Sequence, residues 1–120
     1  MTGPELRRAL SSFHGTESYY SHPSRRILFT DGVKFLADQA KAYWLIDVVA
    51  SWQHRMIVDR ALREFQLWEL VVNVDGTAVA ICSRDSEDEA FRQRIPVTDF
   101  PLDYLRLYVE AGVLMLPSEH

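Results

Sequence analysis

Between Gln66 and Val74 the chain alternates in steps of two, with Trp68, Leu70, Val72 and Val74 on one side and Leu67, Glu69, Val71 and Asn73 on the other. That period predicts a β-strand. Asp75-Gly76 follows, a pair favoured in two-residue hairpin turns. Folding about it sets Val72 opposite Val79, Leu70 opposite Ile81 and Trp68 opposite Ser83. One face is then bulky and apolar, while the other carries Ala78, Ala80 and Cys82. A second hairpin follows. Leu105, Leu107 and Val109 alternate with Tyr104, Arg106, Tyr108 and Glu110 before Ala111-Gly112 turns the chain. A two-residue loop there puts Val109 opposite Leu114 and Leu107 opposite Leu116.

Upstream the period is helical. Residues 4–12 predict a short helix, with Pro4 in its first turn and Leu6, Ala9 and Leu10 as a narrow stripe. A main helix is expected over 31–53, capped by Thr30 or Asp31, because Val33, Leu36, Ala37, Ala40, Trp44 and Val48 recur at helical spacing. Asp47 falls one turn after Trp44 on that stripe, so it is expected to face the core. An end or a kink near 53–55 and a shorter helix outlined by Ile57, Ala61, Leu62 and Phe65 complete the helical half. Residues 14–26 and the charged run 84–94 read as loops, Ile27–Phe29 as a short strand or lead-in, and 95–101 as an edge strand or extended connection.

Helices first and hairpins afterwards predict a single α+β domain over 1–120. The N-terminal helices pack on one face of an antiparallel sheet of about four strands built from two hairpins. The buried set expected is Leu36, Ala40, Trp44, Val48, Trp68, Leu70, Val72, Ile81, Leu105, Leu107, Val109 and Leu116.

Composition narrows the classes. A chain of 120 residues with 48% hydrophobic and 25% charged positions has ordinary globular make-up. No apolar run reaches the ~20 residues that span a bilayer, so no membrane association is expected. The start MTGPELRRALSSF lacks the apolar centre of a signal peptide. Cys82 is the single cysteine, which excludes an internal disulfide and a cysteine-rich metal site and suits a cytoplasmic setting. Residues 1–63 carry nine basic and six acidic side chains, and 64–120 carry four and eleven, a dipole able to steer a charged partner.

Candidate chemistry is sparse. The sequence has no Gly-rich phosphate loop, HExxH, CxxC or nucleophile elbow, so no cofactor, metal or catalytic residue is expected. The overall acidity and the lack of a Lys/Arg stripe argue against direct nucleic-acid binding. Asp47 and Asp99 are the carboxylates worth weighing. Asp47, with Trp44, is assigned a structural role, and Asp99 is expected to accept backbone N–H groups in its tight stretch between prolines. The alternative is a small enzyme pairing Asp47 and Asp99 with a loop histidine, His14 or His22. Tyr19, Tyr20, Tyr104, Arg106, Tyr108 and Glu110 are the candidate binding residues, since Tyr and Arg concentrate energy at interfaces.

The words GTESYY (15–20), FTDGVKFLADQAKAYWLID (29–47), TDFP (98–101) and LMLPSE (114–119) resemble a family of small uncharacterised proteins from phages, plasmids and bacterial genomes. The likeness implies an accessory protein of a mobile element, carried by a domain of unknown function, with no activity or site residue to transfer. It favours a non-enzymatic protein that binds a larger protein or protein–nucleic-acid assembly. One class similar to it is the anti-CRISPR inhibitors of host defence complexes. A homodimeric regulatory module is a third reading.

Overall fold

The long apolar run after Thr30 is two helices. The computed structural model, which describes residues 1–120, divides it into α2 (Asp31–Ala40) and α3 (Tyr43–Trp52). Thr30 caps α2 by accepting the Val33 N–H, as expected. Lys41 then adopts the left-handed conformation (φ 52°), and the Ala42 N–H reaches back to the Ala37 carbonyl at 2.9 Å. This is the stop usually made by glycine. The break rotates the second stripe: α3 buries Leu45, Ile46, Val49 and Ala50, leaves Trp44 and Val48 half-buried, and turns Asp47 out to solvent. The expectation that Asp47 faces the core is thereby corrected.

Before this pair stands α1 (Gly3–Ser11), closed by a reciprocal cap in which Thr2 accepts the Glu5 N–H and the Glu5 carboxylate accepts the Thr2 N–H. After it, a 3-10 turn over Gln53–Val58 leads to α4 (Arg60–Glu64), capped by Asp59 through the Leu62 N–H. No helix is long and apolar enough to cross a membrane.

The sheet has seven strands, not four. These are β1 (Tyr19–Ser21), β2 (Leu28–Thr30), β3 (Phe65–Val72), β4 (Ala78–Ser83), β5 (Glu89–Ile95), β6 (Tyr104–Glu110) and β7 (Val113–Met115). They lie in the order β1-β2-β7-β6-β3-β4-β5, antiparallel throughout except for β2 beside β7. The expected charged loop is largely β5. Its inner positions Phe91 and Gln93 are held to α3, with Phe91 stacked 4.1 Å from Trp52 and Gln93 accepting the Trp52 indole N–H at 2.7 Å.

The β6–β7 hairpin has the expected register at Val109 opposite Leu114, with Ala111 and Gly112 both at positive φ, but β7 ends at Met115 and the expected pairing of Leu107 with Leu116 does not form. The β3–β4 hairpin is one residue out. Val72 faces Ala78, Leu70 faces Ala80 and Trp68 faces Cys82. The Asn73 N–H bonds to the Thr77 carbonyl and the Gly76 N–H to the Asn73 carbonyl, so residues 74–76 form a three-residue loop with Gly76 left-handed. A slip of one residue exchanges faces. Large Trp68 and Leu70 therefore share the inner face with small Cys82 and Ala80, and Ile81 moves to the outer face.

The core lies between the helices and that inner face, joining Leu36, Ala37, Leu45 and Val49 to Trp68, Leu70, Leu107 and Leu114. Of the twelve side chains expected inside, Trp44, Val48, Val72 and Ile81 are only half-buried. The first two follow from the helix break and Ile81 from the register.

Candidate functional site

Helices cover one face of the sheet and leave the other open. Pairing places Glu69 between Ile81 and Arg106, Val71 between Val79 and Tyr104, and Tyr108 between Leu67 and Met115 on this outer face. Leu67 and Ser83, paired with each other, are buried there, whereas the other side chains just named are half-buried or exposed.

A hydrogen-bond chain holds the centre of the face rigid. The Tyr104 hydroxyl donates to the Glu69 carboxylate, and the Arg106 guanidinium donates to the Tyr104 oxygen at 3.3 Å. Burial first, and then the Glu69 carboxylate, raise the Tyr104 pKa, so the phenol remains a donor. The phenol oxygens of Tyr104 and Tyr108 raise the Arg106 pKa in turn. Tyr108 leans on Phe65 at 5.3 Å and meets the His120 ring edge-on at 5.0 Å, while His120 pairs with Glu110 at 2.9 Å. Tyr104, Arg106, Tyr108 and Glu110 thus form one continuous patch.

Tyr19 and Tyr20 divide between the two faces. Tyr20 stacks on Phe29 at 5.7 Å under the Lys34 ammonium, on the helix side. Tyr19 is 57% exposed and lies on the outer side, three strands from β6 and so roughly 14 Å away.

Asp47 accepts a hydrogen bond from His22 Nε2 at 2.7 Å, and His22 Nδ1 lies 2.8 Å from the Ser24 hydroxyl. Because Nδ1 also receives the Ser24 N–H at 3.1 Å, the imidazole proton sits on Nε2, toward the carboxylate. A hydroxyl, an imidazole and a carboxylate in sequence are the parts of a nucleophile relay. Here they staple the β1–β2 turn to α3. The Ser24 oxygen already accepts the Arg26 N–H at 3.2 Å, and none of the five surface cavities is lined by these three residues. Asp99 is exposed and lines a different hollow with Lys41 and Trp44, so it does not join Asp47. The backbone bond expected of Asp99 is made by Thr98, which accepts the Phe100 N–H at 3.1 Å. Trp44 packs edge-on against Phe100 at 6.4 Å.

Sequence reasoning missed Glu119. Its carboxylate accepts the Thr30 hydroxyl at 2.7 Å, the Leu116 N–H at 3.0 Å and the Gly32 N–H at 3.3 Å, with the Thr16 hydroxyl at 3.5 Å. The chain thus fills the N-terminus of α2 with its own anion. Thr16, Thr30, Gly32 and Glu119 come from three of the four words on which the family resemblance rests. A Thr-Asp-Gly helix start was the available signal, but nothing local pairs it with an acid 87 residues later.

Two connected hollows flank α1. One of about 730 Å³ runs along Pro4, Arg7 and Arg8 against Pro101 and Leu102, and one of about 240 Å³ continues between Arg7, Leu10 and the start of β6.

The fold and this face describe a small α+β protein that offers one side of a sheet to its surroundings. The chain belongs to a family described as a family of unknown function (DUF6876), which it matches over residues 4–120. No curated protein and no solved structure matches it.

Proposed function

We propose that the protein works by docking a larger protein, alone or as part of a protein–nucleic-acid assembly, on the open face of its sheet, without turning over a substrate. The observation that carries this is the Tyr104–Arg106–Tyr108 patch, half-exposed and already fixed by bonds to Glu69 and packing on Phe65. Side chains ordered before contact lose little entropy on binding, and Tyr and Arg are the usual anchors. Strands β5 to β7, five abreast and up to seven or eight residues long, give a face roughly 20 Å by 20 Å. That is roughly 400 Å² in projection, against about 800 Å² per partner in a standard interface, so a partner must also reach the rim. A host defence complex bound by a mobile-element accessory protein is the specific form of this reading.

Affinity capture from the lysate of the encoding host, with mass spectrometry, tests it. Wild type should recover a defined protein set that Tyr104→Ala/Tyr108→Ala loses. Recovery of the same set by both, or of none by wild type, contradicts it.

A further inference from the structure

Strand β6 is paired along its whole length on one side and only halfway on the other. Its neighbour β7 reaches it through Tyr108, Val109 and Glu110 alone. The chain then leaves the sheet: Leu116 gives its N–H to Glu119, and Pro117 has none to give. The unpaired half follows from the ladder. Asp103 accepts the Val72 N–H and the Ala111 N–H bonds to Glu64, so odd-numbered residues of this strand bond toward β3. Backbone groups alternate between the two sides of an antiparallel strand. The N–H and C=O of Tyr104 and Arg106 therefore point away from β3, into the 240 Å³ hollow beside α1. Leu102, Leu105 and Leu116 line its apolar floor. Along this hollow and its continuation stand Arg7, Arg8 and Arg106, against the single carboxylate of Asp103. Arg7 reaches Asp103 only at 3.5 Å with both exposed, so the positive excess stays available.

We propose that this groove receives an extended acidic segment of the partner, which adds to Tyr104–Arg106 as a strand while its carboxylates meet Arg7, Arg8 and Arg106. The inference rests on the docking reading and names a second contact beside the open face. Free strand edges bind extended peptides through main-chain bonds, with side-chain pockets giving the selectivity. The opposite edge, β5, lacks this fit: Arg92 is occupied by Glu89 at 2.6 Å and 2.9 Å, and no cavity borders the strand.

The test is an NMR titration of the full chain with a blocked peptide alternating Glu and Val over about five residues, one strand's length. The Tyr104 and Arg106 amides should shift and exchange more slowly. Arg7→Glu/Arg8→Glu should weaken binding tenfold or more, while Arg60→Gln/Arg63→Gln, on α4 and outside both hollows, should change it less than twofold. Overturning results are a Lys–Val peptide binding equally well, a backbone N-methylated Glu–Val peptide binding equally well, or unmoved Tyr104 and Arg106 amides. Concentration-dependent shifts of these amides together with Asp85–Glu89, in the absence of peptide, would give the groove to a second copy and also overturn the proposal. Loss of the peptide result while affinity capture succeeds removes the groove alone, and the converse removes the open face alone.

Discussion

Replacing Glu119 with alanine removes one carboxylate and strands three donors: the Thr30 hydroxyl, the Leu116 N–H and the Gly32 N–H. Hydrogen bonds to a charged group contribute about 1.5–3 kcal/mol each when buried. This cluster is only part-buried and water can reach it beside the hollow lined by Thr16 and Asp31, so the low end applies. Three bonds at the low end sum to about 4.5 kcal/mol, and water replacing part of each brings the expected cost to about 2–4 kcal/mol, or a fall in Tm of about 8–16 °C for a chain of this size. Glu119→Gln retains one carbonyl oxygen and should lose roughly half as much. Gly32→Ala attacks the same contact from the other side. An added Cβ would lie 2.6 Å from Glu119 Oε1 and 2.7 Å from Leu116 Cδ1, expelling the carboxylate. Melting followed by circular dichroism, with urea unfolding as a second measure, should show the double variant costing clearly less than the two single changes added together. A Glu119→Ala protein within about 0.5 kcal/mol of wild type, or strict additivity with Gly32→Ala, would refute the clamp.

Other outcomes follow from single sites. Burial pushes the Cys82 thiol up to about 12 from 9.0, so native protein should resist iodoacetamide at pH 8 and react fully in urea. The sign follows from linkage: the unfolded chain loses this proton first, so the stability is whole below pH 9 and declines as pH climbs toward 12, readable in melts at successive alkaline pH values. Lys41→Gly relieves a left-handed residue at the α2–α3 break and should stabilise by a few tenths to about 1 kcal/mol in urea titrations. Asp47→Ala, which loses an exposed partner of His22, should cost less than about 1 kcal/mol, where a buried acid would have cost several.

Much of the fold was legible because several local signals agreed. The β6–β7 hairpin combined alternation with a two-residue turn closed by Gly112, which takes positive φ freely while Ala111 is held there at some cost, and its register and inward face follow from that. The β3–β4 turn was placed correctly but counted wrongly. Asp75 spends its carboxylate on the Thr77 N–H and hydroxyl, at 3.0 Å and 2.7 Å, and the loop closes over three residues. Period alone does not register that single residue, yet it decides whether Ile81 faces the helices or the outside. The α2–α3 break was hidden because a lysine stands where glycine usually signals the stop. Strand β5 was hidden by charge: Arg92 and Arg94 take its outer positions, and only Phe91, Gln93 and Ile95 face inward. In the candidate site, the Tyr104–Arg106–Tyr108 alternation was readable from the chain. The Glu119 clamp was not, because it joins residues distant in sequence; Pro117 marks where pairing to β6 stops, but the hollow beside that free edge needs α1 from the other end of the chain.

Docking by the open face, rather than by the helical side, can be read directly from affinities. Its most direct measurement is the affinity of the captured partner for purified wild type, for Arg106→Ala/Tyr108→Ala on that face, and for Arg60→Glu/Arg63→Glu on exposed positions of α4. Loss of two anchor side chains should weaken binding by about 30-fold or more, equivalent to about 2 kcal/mol, with the melting curve retained. The α4 variant should stay within twofold of wild type. Equal affinity for the wild type and the face variant, or a loss in the α4 variant as large as that in the face variant, would contradict docking on the open face.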